Sequence, residues 1–274
     1  MKDVTFGQYY PANSIVHRLN PAIKIVILIA YIVALFLVKK FAFYGLALCF
    51  CFLVVTIILA KTPPLKVLKS IKGVLFLVIF SAVLNIFFNR EGTPLVEKWL
   101  GFITITDKGL IYAGFLTARL ILLVFSASIL TLTTTPVDLA DGIETLMYPL
   151  KWIKFPVHEF ALIMSIALRF IPTLMDETDR IIKAQKARGA DFESGNIFKK
   201  AKALIPVLIP LLISSFRRAD ELGDAMDARC YAGSKKRTKY KRLTLGWFDV
   251  VSFILTGGLV AGVVLTNIYL GAII

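Results

Sequence analysis

Long apolar runs alternate with short polar segments along most of this chain. An α-helix needs about 20 mostly apolar residues to cross the hydrocarbon core of a bilayer. Five runs come near that length, and we predict one membrane-spanning helix for each. They are Ala22–Val38, Phe41–Ala60, Gly73–Phe88, Gly109–Thr133 and Trp247–Ile274. The pattern predicts an all-α fold: a polytopic membrane protein with about five transmembrane helices.

The segment from Pro136 to Gly246 follows a different pattern. It opens with a candidate N-cap, Thr135, then Pro136 in the first turn and Asp138 three residues after the cap. Apolar residues then recur at helical spacing. We therefore predict an amphipathic helix that ends near Pro149 and lies at the membrane surface.

Two further units follow in this segment, each an apolar stretch with proline that leads into a helix rich in both charges. We read them as the two arms of a helical hairpin. The chain is therefore expected to have three parts. Residues 1–135 hold an N-terminal segment and four spans, residues 136–245 form a cytoplasmic helical domain, and residues 246–274 form the last span.

Composition and charge support this picture and orient it. The chain is 57% hydrophobic with a formal net charge of +14, and loops rich in Lys and Arg stay in the cytoplasm. The segment Lys61–Lys72 carries four lysines and no acid, whereas Asn89–Lys108 is near neutral. Pro136–Gly246 carries 19 Lys/Arg against 13 Asp/Glu. These loops predict a cytoplasmic N-terminus and an outer C-terminus.

Signatures of nucleotide, metal or ion chemistry are missing from the sequence. There is no G-x-x-x-x-G-K-[ST] phosphate loop, and His158-Glu159 lacks the second histidine of a zinc-protease helix because position 162 is Leu. We expect no buried carboxylate inside the five spans, which argues against an ion-coupled transporter. Arg119 is the one charge that we expect to be buried there. We interpret it as a structural arginine bonded to backbone carbonyls, with contact to a partner or a counter-ion as the alternative.

The polar segment repeats one short motif. Ala187-Arg188-Gly189 and Ala228-Arg229-Cys230 end the two charged helices, and the arginines are 41 positions apart. Arginine carries five donors in a rigid fork and suits protein interfaces, so these six residues are candidate docking residues. The alternative is that each arginine only caps its own helix.

The two motifs differ in their last residue. Glycine commonly follows a helix end in the left-handed conformation. Gly189 fits that rule and Cys230 does not, so after the second arginine we expect the left-handed residue at Gly233 or nowhere.

The segment Ser234–Arg242 carries six cations and no acid. We interpret it as an anchor on anionic lipid, with nucleic-acid binding as the disfavoured alternative.

Long stretches of the chain resemble the transmembrane (T) component of energy-coupling factor (ECF) transporters. The resemblance is carried by GQYYPANSIVHRLNPAIKI, LTLTTTPVDLADGIETLMYPLK, PVHEFALIMSIALRFIPTLMDETDRIIKAQKARGADF and RRADELGDAMDARCYAG. It implies a non-catalytic subunit of a bacterial plasma-membrane transporter for vitamins. Residues 136–245 would then be its coupling-helix domain.

The resemblance also implies the partners. Two ABC-type ATPase subunits would bind ATP and Mg, leaving this chain without a cofactor of its own, and a membrane-embedded S component would capture the vitamin. Arg188 and Arg229 would dock into the two ATPases. A dedicated cobalt or nickel importer remains an alternative within the family. A stand-alone secondary transporter or channel is the alternative from another class.

Overall fold

The computed structural model describes residues 9–39, 42–88, 94–99, 103–192, 196–231, 233 and 245–269. The all-α, polytopic fold predicted from the sequence is confirmed. The helices are α1 (Ile15–Arg18), α2 (Pro21–Leu37), α3 (Phe43–Ala60), α4 (Pro64–Ile71), α5 (Leu75–Phe88), α6 (Asp107–Thr133), α7 (Pro136–Met147), α8 (Val157–Ala187), α9 (Ile197–Ala228) and α10 (Trp247–Tyr269), with a 3-10 segment at Tyr148–Ile153.

Two connections contain structure that the sequence analysis treated as plain loops. The lysine-rich segment after α3 forms α4, which meets α5 at a bend of 58°. The near-neutral segment after α5 contains two antiparallel strands, β1 (Pro94–Trp99) and β2 (Ile103–Thr106). Hydropathy averaged over a loop does not detect an eight-residue helix or such short strands.

The helices that could cross a membrane differ in two members from the predicted set. Among the described residues, α3, α6, α8 and α10 are each long and apolar enough, and the bent pair α4–α5 brings the number to as many as five. Helix α8 qualifies through its apolar first half. Helix α2 is shorter than these, with 17 residues, or about 26 Å at 1.5 Å per residue.

The chain divides into two compact units. The first comprises Met1–Leu146 together with Leu243–Ile274, and the second comprises Met147–Arg242. The core of the first unit lies among α2, α3, α6 and α10. It is built from buried side chains that interlock between these helices: Tyr31, Leu35, Cys49, Leu53, Phe115, Leu122, Ile129, Leu259 and Val263.

The first end of α2 is held by buried polar side chains. Asn20 Oδ1 accepts a hydrogen bond from the Ala22 amide at 3.0 Å, and Asp249 Oδ1 accepts one from the Asn20 amide at 2.8 Å. Lys24 Nζ donates to Thr133 O at 3.1 Å and to Thr134 Oγ1 at 3.2 Å. The start of α2 is thereby tied to the start of α10 and to the end of α6.

The second end of α2 is held in the same manner. Asn267 Nδ2 donates to Leu37 O at 2.7 Å, and Arg119 Nη2 donates to Val38 O at 2.5 Å. The last carbonyls of a helix have no partner within it, and hydrocarbon offers none. Side chains of α10 and α6 therefore donate the hydrogen bonds that these carbonyls at the end of α2 lack.

These contacts confirm one expectation about buried charge and correct two. Arg119 is the structural arginine we predicted, since it bonds a backbone carbonyl. It is not alone, because Lys24 is buried within α2. The expectation of no buried carboxylate in the spans was wrong, since Asp249 in α10 is 4% exposed. Asp249 also accepts the Gly246 amide at 2.8 Å, and a carboxylate is favoured at a helix N-terminus.

Helix α7 begins as the sequence predicts and packs closely on α2. The Asp138 amide donates to Thr135 Oγ1 at 3.1 Å, which is the expected cap. A Cβ atom added at Gly142 would lie 3.0 Å from Ala22 N and from the Pro21 carbonyl carbon. Glycine at this position lets the two backbones approach. From α7 the chain continues directly into the second unit.

Replacing Asn267 with leucine should destabilise the first unit. The substitution Asn267→Leu leaves Leu37 O without its donor, and an unsatisfied buried polar group costs about 1–3 kcal/mol. Thermal unfolding of the purified protein should shift to a lower temperature. The neighbouring Ile268→Leu, at a side chain 59% exposed, is the control and should leave the transition in place. Equal transitions in the two variants would refute the role given to Asn267.

Candidate functional site

The two arginine motifs lie at equivalent places in the second unit. Helix α8 ends at Ala187 and helix α9 ends at Ala228, so each arginine directly follows the last helical residue. The likeness extends backwards along both helices, because Ala184 and Ala225 each precede the arginine by four positions. The structure thus confirms that both motifs end long helices.

The backbone of the first motif forms a Schellman C-cap. The Gly189 amide donates to Lys186 O at 3.0 Å, and the Ala190 amide donates to Gln185 O at 3.0 Å. These are the 5→2 and 6→1 hydrogen bonds of that motif. Gly189 has a φ of 88°, in the region where glycine is unstrained.

The second motif forms the same cap with a cysteine in the glycine position. The Cys230 amide donates to Asp227 O at 2.9 Å, and the Tyr231 amide donates to Met226 O at 3.0 Å. Cys230 has a φ of 54°. The expectation that the left-handed residue would be Gly233 or absent was therefore wrong. Gly233 also has a positive φ, 75°, but it lies beyond the cap.

The cap holds Cys230 in place at a modest energetic cost. A residue with a side chain loses about 1–2 kcal/mol in the left-handed conformation. The two hydrogen bonds that close the cap satisfy carbonyls that would otherwise lack a partner at the helix end. Cys230 is exposed, so its side chain meets no crowding there. The departure from glycine leaves the backbone of the second motif equivalent to that of the first.

Both arginine side chains remain available for a partner. Ala187, Arg188 and Gly189 are exposed, and so are Ala228, Arg229 and Cys230. Within the described part of the chain, neither guanidinium has a hydrogen-bond or salt-bridge partner. Each group lies at a helix C-terminus, where the helix dipole favours a cation. The small flanking residues leave room for another protein's surface to approach.

A cavity in the first unit has a different character. Its volume is about 340 Å³, and it is lined mainly by α2, α3, α6 and α10. Four hydroxyl groups on its wall donate to backbone carbonyls of their own helices at 2.7–2.8 Å: those of Thr56, Ser126, Thr133 and Thr256. The proton of each hydroxyl is thereby committed to the helix, so towards a ligand these groups could only accept a hydrogen bond.

Two other expectations concern metal ions and lipid. Among the described residues, no three His, Cys, Asp or Glu side chains are grouped so that they could hold a metal ion. His158 lies 2.8 Å from Lys151 Nζ through its Nε2 atom. The basic segment Ser234–Arg242 lies outside the described residues, so its assignment to lipid stays a prediction.

Exchanging the residue after each arginine should have unequal effects. Gly189→Ala places a side chain at a φ of 88° and should destabilise the end of α8 by about 1–2 kcal/mol. Cys230→Ala should leave the end of α9 unchanged, since both residues bear the same conformational cost. Hydrogen exchange of the amides that close each cap should be roughly tenfold faster in the first variant alone. Equal exchange in the two variants would contradict the cap assignment.

Comparisons with known proteins agree with this architecture. Residues 12–240 match the family model CbiQ, described as cobalt transport protein. The energy-coupling factor transporter transmembrane protein EcfT of Clostridium kluyveri is 48% identical over 271 residues, covering 99% of each chain. The EcfT of Ruminiclostridium cellulolyticum is 50% identical over 251 residues, covering 92% of each chain.

A more distant relative extends the same match. The EcfT of Bacillus subtilis is 42% identical over 262 residues, covering 94% of this chain and 97% of its own. These matches cover nearly the whole chain and therefore both units. The chain therefore belongs to the EcfT family, the multi-pass transmembrane (T) components of energy-coupling factor transporters.

Proposed function

We propose that this chain couples two ABC-type ATPase subunits to a membrane-embedded S component in an ECF transporter for vitamins. The observation that carries the proposal is the pair of equivalent helix ends, each presenting an exposed arginine on the same Schellman backbone. A single docking point would need one such end. Two ends suit two ATPase subunits of similar shape.

Each arginine supplies the recognition group of its end. The guanidinium offers five donors in a planar fork that matches carboxylates and backbone carbonyls of a partner. Arginine is also enriched among the residues that dominate interface energies. Both ends lie in the segment that the charge distribution assigns to the cytoplasm, with the N-terminus inside and the C-terminus outside the cell.

The proposed mechanism turns closure of the ATPases into motion of the helices. ATP and Mg bind in the ATPase subunits, whose closure changes the separation or angle between Arg188 and Arg229. A ligand shifts a conformational equilibrium only if it interacts differently with the two states. The two arginines must therefore be spaced differently in the open and closed ATPase pair.

The chain offers a covalent route for that motion to reach the spans. The second unit continues backwards through Met147 into α7, and Gly142 of α7 packs against the start of α2. Helix α2 is in turn bonded at both ends to α6 and α10. A pull on α7 would act on a tied group of helices, and the S component would respond by reorienting and releasing its vitamin inside.

A dedicated cobalt importer is the second candidate, and the description of the matching family favours it. The two candidates share the coupling role and differ in the cargo that the S component binds. Purification of the complex from native membranes, with identification of the bound small molecule, distinguishes them. A vitamin supports the first candidate, and Co²⁺ or Ni²⁺ supports the second.

Truncating both arginines should abolish coupling. In the Arg188→Ala, Arg229→Ala variant, the ATPase subunits should no longer co-purify and vitamin uptake should stop. Loss of a central interface arginine costs about 2 kcal/mol or more, roughly a 30-fold loss of affinity per site. Each single variant should retain one ATPase contact and lose most of its uptake.

Two exposed arginines of the same helices provide matched controls. Arg180→Ala in α8 and Arg217→Ala in α9 remove the same charge upstream of the motifs, and both should transport as the unaltered protein does. Full uptake by the double-motif variant would refute the proposal. Uptake into liposomes by this chain alone would instead favour a stand-alone transporter or channel.

A further inference from the structure

One ion pair joins the two long helices at equivalent positions. Arg218 Nη2 of α9 lies 3.0 Å from Glu177 Oε2 of α8, and the two side chains are 32% and 28% exposed. Glu177 precedes Arg188 by 11 residues, and Arg218 precedes Arg229 by 11 residues. At 1.5 Å per residue, each arginine lies about 16 Å beyond the ion pair along its own helix.

A second contact shows that the helices run in opposite directions. Gln185 Nε2 donates to Pro206 O at 3.5 Å. Gln185 follows Glu177 by eight residues on α8, whereas its partner Pro206 precedes Arg218 on α9. The order of the contacts is therefore reversed between the helices, as in an antiparallel pair. Pro206 O is a carbonyl that lacks its helical partner, because Pro210 has no amide hydrogen. The two arginines accordingly lie on opposite sides of the ion pair, about 30 Å apart along the helices.

Apolar packing does little to fix the register of these helices. Among the described residues of α8 and α9, Val157 and Val207 are the ones with buried apolar side chains. Most of the large apolar side chains of α9 remain well exposed, including Leu208, Leu212 and Phe216. Where few apolar side chains interlock, a directional polar contact decides which positions face each other.

We propose that the Glu177–Arg218 ion pair is the positioning contact that sets the distance between the two arginine ends. This inference rests on the proposed docking role of those ends. The segment from the ion pair to the arginine is equally long in both helices, 11 residues. A displacement of one arginine end by its ATPase is therefore transmitted through the ion pair to a segment of the same length that ends at the other ATPase. Without the pair, α8 and α9 can slip, and a slip of one turn displaces the ends by about 5 Å.

Charge reversal tests the contact. Glu177→Arg places two guanidinium groups opposite each other, and Arg218→Glu places two carboxylates there. Each single reversal should shift or broaden the distance between the helix ends, and the combined Glu177→Arg, Arg218→Glu variant should restore it. Asp176→Arg and Arg217→Glu make the same charge changes at adjacent exposed positions and serve as controls. Glu177→Gln removes the charge with little change of shape and covers the case in which a reversal fails to fold.

The distance can be measured without any ATPase. Spin labels at Lys183→Cys and Asp224→Cys, each five residues before its arginine and each at an exposed position, report the separation in the full chain in nanodiscs. Cys49, Cys51 and Cys230 are replaced by serine in this background. An unchanged distance in the single reversals would overturn the inference and would leave the docking proposal intact.

Transport by the assembled complex completes the test. ATPase co-purification should persist in the single reversals, since both arginines are present. Vitamin uptake per ATP hydrolysed should fall in the single reversals and return in the combined variant. A shifted distance with undiminished coupling would refute the functional part of the inference. Loss of co-purification in the Arg188→Ala, Arg229→Ala variant remains a separate result that concerns docking alone.

Discussion

Every backbone amide and carbonyl within a bilayer must find its partner inside the protein, and helix α2 shows how this chain meets that constraint. Its 17 residues rise about 26 Å, less than the hydrocarbon core of about 30 Å. At the first end, Asp249 accepts the Asn20 amide and Lys24 donates to the end of α6. At the second end, Asn267 and Arg119 donate to the Leu37 and Val38 carbonyls. The spacing is consistent, since Asp249 and Asn267 are 18 residues apart on α10, close to the length of α2 itself.

The consequence is that four polar residues, of which Lys24, Asp249 and Asn267 are buried, join three helices into one group. Lys24 contacts Thr133, and Arg119 contacts Val38. The two contacts have the same spacing on both helices, because Val38 follows Lys24 by 14 residues and Thr133 follows Arg119 by 14 residues. The pair α2–α6 is therefore bonded at two levels about 21 Å apart, and the pair α2–α10 at two levels about 26 Å apart. In the proposed mechanism, this bonded group passes on displacement from α7, and the exposed arginines of the second unit meet the partners.

The sequence predicts those features that depend on neighbouring residues. Apolar run length identified α3, α5, α6 and α10 but not α8, and Thr135, Pro136 and Asp138 identified the start of α7. Both arginine motifs were located at helix ends. In each case the signal lies within a few turns of one helix, where propensity, capping and hydropathy act.

Features that depend on distant residues were missed. Lys24 and Asp249 look like surface charges at the ends of apolar runs, and only tertiary packing reveals their burial. Glu177 and Arg218 are 41 positions apart in the sequence, and only packing shows that their side chains meet. Cys230 was misjudged for another reason. Propensity disfavours a left-handed cysteine, but the hydrogen bonds of the cap outweigh propensity there.

The central claim is that ATP changes the spacing of the two arginine ends. It is tested most directly by the distance between spin labels at positions 183 and 224 in the assembled complex, with and without a non-hydrolysable ATP analogue. We expect two distinct distances in the complex and a single, nucleotide-independent distance in the chain without ATPases. The same distance in both nucleotide states of the complex would contradict the account.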